Sequence, residues 1–329
     1  MATTIADVAA RSGVSTATVS RILSNSAPAR PETRERVLAA ARELGYRPSG
    51  VARALKRRET RTIGLVVTDI TNPFYPQIVR AAEVAAHERG YGLVLANGED
   101  DPVRELSHLE LLVERRVDGI VIASSRLTRH HSAHLDEIGV PIVLVNDPVA
   151  SSRRPTITAD HRLGTRLATE HLLGLGHRRI GHISAPAEHV AAGLRRRGVA
   201  EAMRGIGSPV VVEGDGGVEG GAAAVPALLE AGVTGIVAYN DLTAIGALRG
   251  LRRRGVRVPD DVSLVGFDDI PMAAWTDPPL TTVRQDTAAL GRWAVERIIR
   301  ELAGDRPPAE RVLLPPTLVI RDSTGPTPP

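Results

Sequence analysis

The chain has 329 residues and a formal net charge of +3, enough length for two or three folding units. It contains no cysteine, which excludes disulfides, thiolate metal sites and cysteine nucleophiles. No apolar run approaches membrane-spanning length and no signal peptide is recognisable, so a cytoplasmic protein with no membrane partner is expected.

The charge is unevenly placed. Residues 1–60 hold eleven basic side chains against five acidic ones, a net +6, and the remainder is net −3. Segregated positive charge is the footprint of phosphate neutralisation. In the same segment Thr4 can cap a helix, with Asp7 in its first turn and Ile5, Val8 and Ala9 on one apolar face. Gly13 sits where a helix stop needs positive φ, and Ser15 can cap a second helix. There Val19, Ile22 and Leu23 point inward, leaving Thr16, Ala17, Ser20 and Arg21 outward. A helix entering the major groove uses its N-terminal residues on base edges, so Thr16 and Ala17 are placed to read and Arg21 to reach a guanine or a phosphate. Pro31 opens a third helix with a predicted buried stripe of Val37, Leu38, Ala41 and Leu44, and Gly45 ends it. Residues 1–47 therefore read as a helix-turn-helix headpiece. Residues 48–60 read as a linker or hinge helix, weakened by Gly50.

From Arg61 the pattern changes. Strand-like runs (62–68, 92–96, 119–123, 142–146, 179–184, 235–239 and 263–266) alternate with helical stretches (76–89, 103–114, 164–175, 221–231 and 242–254). The alternation predicts an α/β domain of parallel sheets, and its restart near residues 164–177 predicts two similar lobes. Ligands in such folds bind outside the carboxyl ends of strands. Polar residues at those ends are Asp69, Asn97, Ser125, Asn146, Asn240, Asp241, Asp268 and Asp269. Asp268 is the preferred acceptor for ligand hydroxyl or N–H groups. Residues 323–329 read as a disordered tail.

Other motifs are weak. His130, His131 and His134 have helical metal-ligand spacing but lie in a polar, arginine-rich stretch, which fits a solvated surface helix better. The glycines around Asp215 lack a Walker lysine and fit a flexible lobe-edge loop. No Gly-x-Ser-x-Gly elbow is present. Neither enzymatic chemistry nor a cofactor is expected.

The segments TIADVAARSGVSTATVSRIL and TRERVLAAARELGYRPSGVARALK closely resemble the LacI/GalR family of bacterial transcription regulators. The resemblance continues through RTIGLVV, RRVDGIVI, EHLLGLGHRRIGHI, NDLTAIGALRGLRRRGVRVPDDVSLVGFDD and PPLTTVRQD, covering nearly the whole chain. It implies a homodimeric repressor on a near-palindromic double-stranded DNA operator. It also implies a hinge helix in the minor groove with Leu55 as a wedge and Val51, Ala52, Arg53 and Lys56 beside it. The larger part, 61–329, would resemble periplasmic sugar-binding proteins and provide effector binding and dimerisation. Its N-lobe would comprise about 61–159 and 286–313, and its C-lobe about 160–285 and 314–322, with crossings near Ala159, Gln285 and Leu314. Phe74 and Tyr75, on the loop after the first strand, would cover the small-molecule effector. His189, Ala191, Arg195 and Asn240 would contact it, with Ser125, Asn146 and Asp268 from the strand ends. A sugar or sugar derivative is the implied effector, a purine the alternative; a solute-binding protein without transcriptional role is the less favoured reading. Gly216 stands where some relatives place an aromatic, Asn146 where many have aspartate and Val199 where an aromatic is usual. Trp275 would either stack on the ligand or pack under the cleft.

Overall fold

The computed structural model describes residues 3–23, 28–46, 59–125, 127, 132–146, 154–305 and 307–328. The chain divides into two compact units, Met1–Arg61 and Thr62–Pro329.

The first unit holds three helices: α1 (Ile5–Ser12), α2 (Thr16–Leu23) and α3 (Pro31–Glu43). Thr4 and Asp7 form a reciprocal capping box, the Asp7 carboxylate accepting from the Thr4 N–H at 2.8 Å. Gly13, at φ 66°, ends α1 in the left-handed conformation that costs glycine least. The Ser15 hydroxyl accepts from the Thr18 N–H at 3.2 Å and starts α2. Val8, Ala9, Val19, Ile22, Val37, Ala40 and Ala41 form the core. The stripe of α3 thus differs from the pattern expected: Ala40 is buried and Leu38 only half-buried. Val37, Ala40, Ala41 and Leu44 follow the i, i+3, i+4, i+7 spacing of one helix face, and Leu38 lies a step round the axis.

The second unit is built on two six-stranded sheets. The first has the order β11-β5-β4-β3-β1-β2, made of β1 (Thr62–Val67), β2 (Gly92–Asn97), β3 (Gly119–Ala123), β4 (Ile142–Val145), β5 (Thr156–Ala159) and β11 (Arg311–Leu314). The second has the order β12-β10-β9-β8-β6-β7, made of β6 (Ile180–Ser184), β7 (Val210–Glu213), β8 (Gly235–Ala238), β9 (Ser263–Asp268), β10 (Thr281–Arg284) and β12 (Thr317–Val319). All pairings are parallel except β10 with β12. The expected α/β architecture of two parallel-sheet lobes is therefore present, with an antiparallel edge on the second. Strands β3, β4, β8 and β9 are buried along their whole length, which suits the apolar runs of β3, β4 and β8 and the Leu264–Phe267 stretch of β9.

Helices on the first sheet are α4 (Phe74–Glu88), α5 (Pro102–Glu114), α6 (Ser132–Glu137) and α11 (Thr287–Leu302). On the second are α7 (His161–Gly174), α8 (Val190–Ala202), α9 (Val218–Glu230) and α10 (Asp241–Arg252). The chain passes between the lobes after β5, after β10 and after β11. Helices α7 and α8 touch at Gly198, where an added Cβ would fall 2.2 Å from the Arg162 carbonyl oxygen. Among the described residues no helix is long and apolar enough to cross a membrane.

The C-terminal segment is docked, against the expectation of disorder. Ser323 is fully buried; its hydroxyl donates to the Leu264 carbonyl at 2.6 Å and accepts from the Thr281 N–H at 2.8 Å. The Leu264 N–H donates to the Ser323 carbonyl at 2.8 Å, and the Thr327 N–H to that of Leu175 at 3.0 Å. The tail is polar because it completes the main-chain hydrogen bonding of β9 and β10.

Candidate functional site

On α2, Thr16, Ala17 and Arg21 are exposed and Ser20 is half-buried, so the outward face expected of a reading helix is present. The Arg21 guanidinium lies along the helix, Nε 3.4 Å from the Ala17 carbonyl oxygen. The hinge positions Val51, Ala52, Arg53, Leu55 and Lys56 lie outside the described residues.

The larger unit holds a cavity of about 190 Å³ between its lobes, at the carboxyl ends of the strands. Phe74, Tyr75, Ser125, Asn146, His189, Ala191, Arg195, Asn240 and Asp268 all line it. Phe74 and Tyr75 do so from the first turn of α4, not from a loop, and both are buried. Their rings meet edge to face at 5.4 Å.

Arg195, one turn into α8, is 4% exposed and held from several sides. Its Nη1 donates to the Tyr239 carbonyl, and its Nη2 lies 3.4 Å from Asp268 Oδ1 and 3.3 Å from His161 Nδ1. The guanidinium carbon sits 3.8 Å from the Phe267 ring centroid and 4.5 Å from that of Tyr239. Aromatic faces compensate a buried cation for part of its lost hydration.

Asp268 ends β9 at φ 115°, a region few side-chain-bearing residues adopt. Gln285 Nε2 donates to its Oδ1 at 2.6 Å. That bond fixes the Gln285 amide, whose oxygen accepts from Asn146 Nδ2 at 2.9 Å; the Asn146 oxygen then accepts from the Ala159 N–H at 3.0 Å. A chain of hydrogen bonds thus runs from the C-lobe through Gln285, at a crossing, to the N-lobe. Burial pushes the Asp268 carboxyl up to about 6, while Arg195 and the Gln285 hydrogen bond pull it down. Burial and the Asp268 charge together raise Asp241 well above the carboxylate range. Asp241 is not in the cavity wall; it accepts from Thr282 Oγ1 at 2.5 Å and the Ile270 N–H at 2.8 Å.

Asn240 caps α10 through the Thr243 N–H and donates to the Gly216 carbonyl at 2.8 Å. The Ser125 hydroxyl donates to Glu105. The loop read as a lobe-edge element instead brings Asp215, Gly216 and Gly217 into the cavity wall. It is ordered there by Asp215, which accepts from the N–H groups of Gly217 and Gly220 at 2.7 and 3.0 Å. Trp275 is 76% exposed and outside the cavity wall, so neither expected role applies. Residues not anticipated in the wall include His161, Tyr239 and Gln285. Tyr239 could have been found as the neighbour of Asn240 at a strand end; His161 and Gln285 flank chain crossings. His134 lies 3.4 Å from Glu110, and no metal-holding cluster occurs among the described residues; His130 and His131 lie outside them.

The family model described as "Bacterial regulatory proteins, lacI family" matches residues 4–49, and one described as "Periplasmic binding protein-like domain" matches residues 169–324. The chain is 41% identical, over 98% of its length and 94% of the relative's, to an uncharacterized HTH-type transcriptional regulator in the aml 5' region of Streptomyces limosus. It is 35% identical to the HTH-type transcriptional repressor CytR of Escherichia coli strain K12, over 98% of this chain and 96% of CytR. The chain belongs to the LacI family of bacterial regulatory proteins. Two solved members align over almost the entire chain. One is the lac repressor dimer bound to operator and the anti-inducer ONPF, at TM-score 0.90 and 31% identity over 99% of this chain and 100% of that one. The other is the complex of transcriptional regulator CelR with cellobiose, at TM-score 0.75 and 35% identity over 98% and 99%. These relatives are transcriptional regulators, not enzymes, and the family's pairing of a helix-turn-helix unit with a periplasmic-binding-protein-like domain holds for this chain.

Proposed function

We propose that this LacI-family repressor binds a near-palindromic operator as a homodimer, under control of a sugar or sugar derivative held between the lobes. The observation that carries this is the hydrogen-bonded chain Asp268–Gln285–Asn146, which lies in the cavity wall and spans both lobes. A ligand seated there touches both lobes at once, so it favours whichever lobe arrangement it fits better. Coupling to DNA then needs only that the two arrangements differ in operator affinity. Thr16, Ala17, Ser20 and Arg21 are the proposed reading set. Val51, Ala52, Arg53, Leu55 and Lys56 are the proposed minor-groove set. The operator-bound lac repressor dimer and the cellobiose-bound CelR, full-length relatives in fold, support each half of the reading.

Binding of the full chain to palindromic and random duplexes, titrated against salt and against sugars, tests it. Preference for a symmetric site, a steep salt dependence and a sugar-dependent change in affinity are expected. Equal affinity for all duplexes would overturn the reading.

A further inference from the structure

We infer that the cleft takes an uncharged, hydroxylated ligand and rejects its phosphorylated counterpart, and that His161 Nε2 donates a hydrogen bond to that ligand. The inference rests on the reading of the cleft as the effector site.

His161 is the first residue of α7, just past the crossing after β5, and its side chain is 2% exposed in the cavity wall. Its Nδ1 lies 3.3 Å from Arg195 Nη2. A guanidinium nitrogen only donates, so Nδ1 must accept. Burial, followed by the charges of Arg195 and Arg311, holds the imidazole well below its ordinary basicity and keeps it neutral. Its single proton is therefore on Nε2. That nitrogen is buried and has no hydrogen-bond partner among the described residues. A buried N–H without an acceptor is costly, and a ligand oxygen would supply one if the ring turned toward the cavity it borders.

The charges in the wall point the same way. Asp69, Asp100, Asp215 and Asp268 line the cavity, against a single described guanidinium, that of Arg195. The terminal nitrogens of Arg195 are already committed: Nη1 meets Tyr239, Nη2 meets Asp268 and His161, and two aromatic rings pack on the guanidinium; its buried Nε has no partner among the described residues. A phosphate, with a charge of roughly −1.5 to −2, would face carboxylates with the terminal nitrogens of Arg195, the pair that forms a bidentate clamp, engaged. Hydroxyl groups, by contrast, donate to carboxylates readily.

The test is isothermal titration of the full chain with paired probes: ribose and ribose 5-phosphate, glucose and glucose 6-phosphate, adenosine and its monophosphate, and cellobiose. A neutral member should bind, and its phosphorylated partner should bind roughly 100-fold more weakly, the scale expected for a like charge within a few ångströms. His161→Ala should weaken the neutral ligand roughly three- to tenfold. His161→Gln, which keeps an acceptor and a donor on one amide, should recover most of that loss. Tighter binding of a phosphorylated member, or no binding by any neutral one, overturns the inference. Unchanged affinity in a folded His161→Ala protein also overturns it, and would direct the N–H to the second hollow that His161 borders, beside Arg162 and Arg311. Loss of palindrome-selective DNA binding would instead defeat the regulator reading. Phosphate preference with that selectivity intact defeats only this inference.

Discussion

Replacing Asp268 by asparagine should make the stability difference from the wild type depend on pH, in a calculable way. The buried carboxyl titrates at about 6 in the folded chain, against an ordinary 3.8. A gap of roughly 2.2 pH units corresponds to about 3 kcal/mol. Because the folded value is the higher one, the native state holds the proton more tightly. The favourable contribution is full below pH 3.8 and is lost as pH rises through about 6. Integrating between pH 4.5 and 7.5 leaves about 2 kcal/mol in an accessible window. The Asp268→Asn variant has no such group, so it should gain about 2 kcal/mol on the wild type across that window. It also leaves Arg195 without its carboxylate, but a guanidinium does not titrate here, so that loss is a constant offset. Relief of the neighbouring Asp241, raised partly by the Asp268 charge, acts in the same direction. Both tryptophans, Trp275 and Trp293, lie in the larger unit, so urea unfolding followed by tryptophan fluorescence reports on it. A difference that stays within about 0.5 kcal/mol from pH 4.5 to 7.5, or moves the other way, is incompatible with a raised Asp268 carboxyl.

Truncation after Asp322 should remove the Ser323, Gly325 and Thr327 hydrogen bonds to β9, β10 and Leu175. At about 1 kcal/mol each, with buried groups left unpaired, a loss of roughly 3–5 kcal/mol and a fall of about 10 °C in Tm are expected; an unchanged melting curve would show the tail to be dispensable. Gly198→Ala puts a methyl group against the Arg162 carbonyl and should cost about 1–3 kcal/mol. Because Arg195 is three residues earlier on the same helix, sugar affinity measured by titration should fall with it. Thr4→Ala breaks the capping box of α1 and should cost the headpiece about 1 kcal/mol, read by amide-exchange rates in residues 5–12.

Much of the larger unit is legible because its central strands 62–67, 119–123 and 142–145 are short runs free of charged residues, rich in Val and Ile and almost wholly buried. Helix starts are less clear. His161–Leu163, Val218–Gly220 and Asp241 lie in helices that apolar periodicity begins later, because these first turns are polar or small. The caps Asp160 and Asn240 were the available signal. Helix α8 is obscured by Gly193, Gly198 and a run of arginines. Strands β5, β10, β11 and β12 are three or four residues long and largely rich in threonine, so they exist only through their partners. Cleft residues at the carboxyl ends of strongly apolar strands can be read from position alone, as Asn146 just after β4 and Asp268 at the end of β9 can. Gln285 cannot, because its role depends on two residues far away in the chain meeting its amide.

That amide joins local chemistry to the lobes. Gln285 follows β10, His161 follows β5, and each stands at a point where the chain leaves one lobe for the other. Arg195 and Asp268 would bind a ligand equally well if they were anchored entirely within the C-lobe, but then occupancy would not be felt by the N-lobe. Instead Asp268 shares Gln285 with Asn146, and Asn146 holds the main chain of Ala159 just before the crossing. A ligand hydroxyl competing for the Asp268 carboxylate competes with the Gln285 bond, and so with the link between lobes. On the proposed reading, occupancy and lobe arrangement would draw on the same few hydrogen bonds, the differential contact with a small polar ligand that a population shift requires.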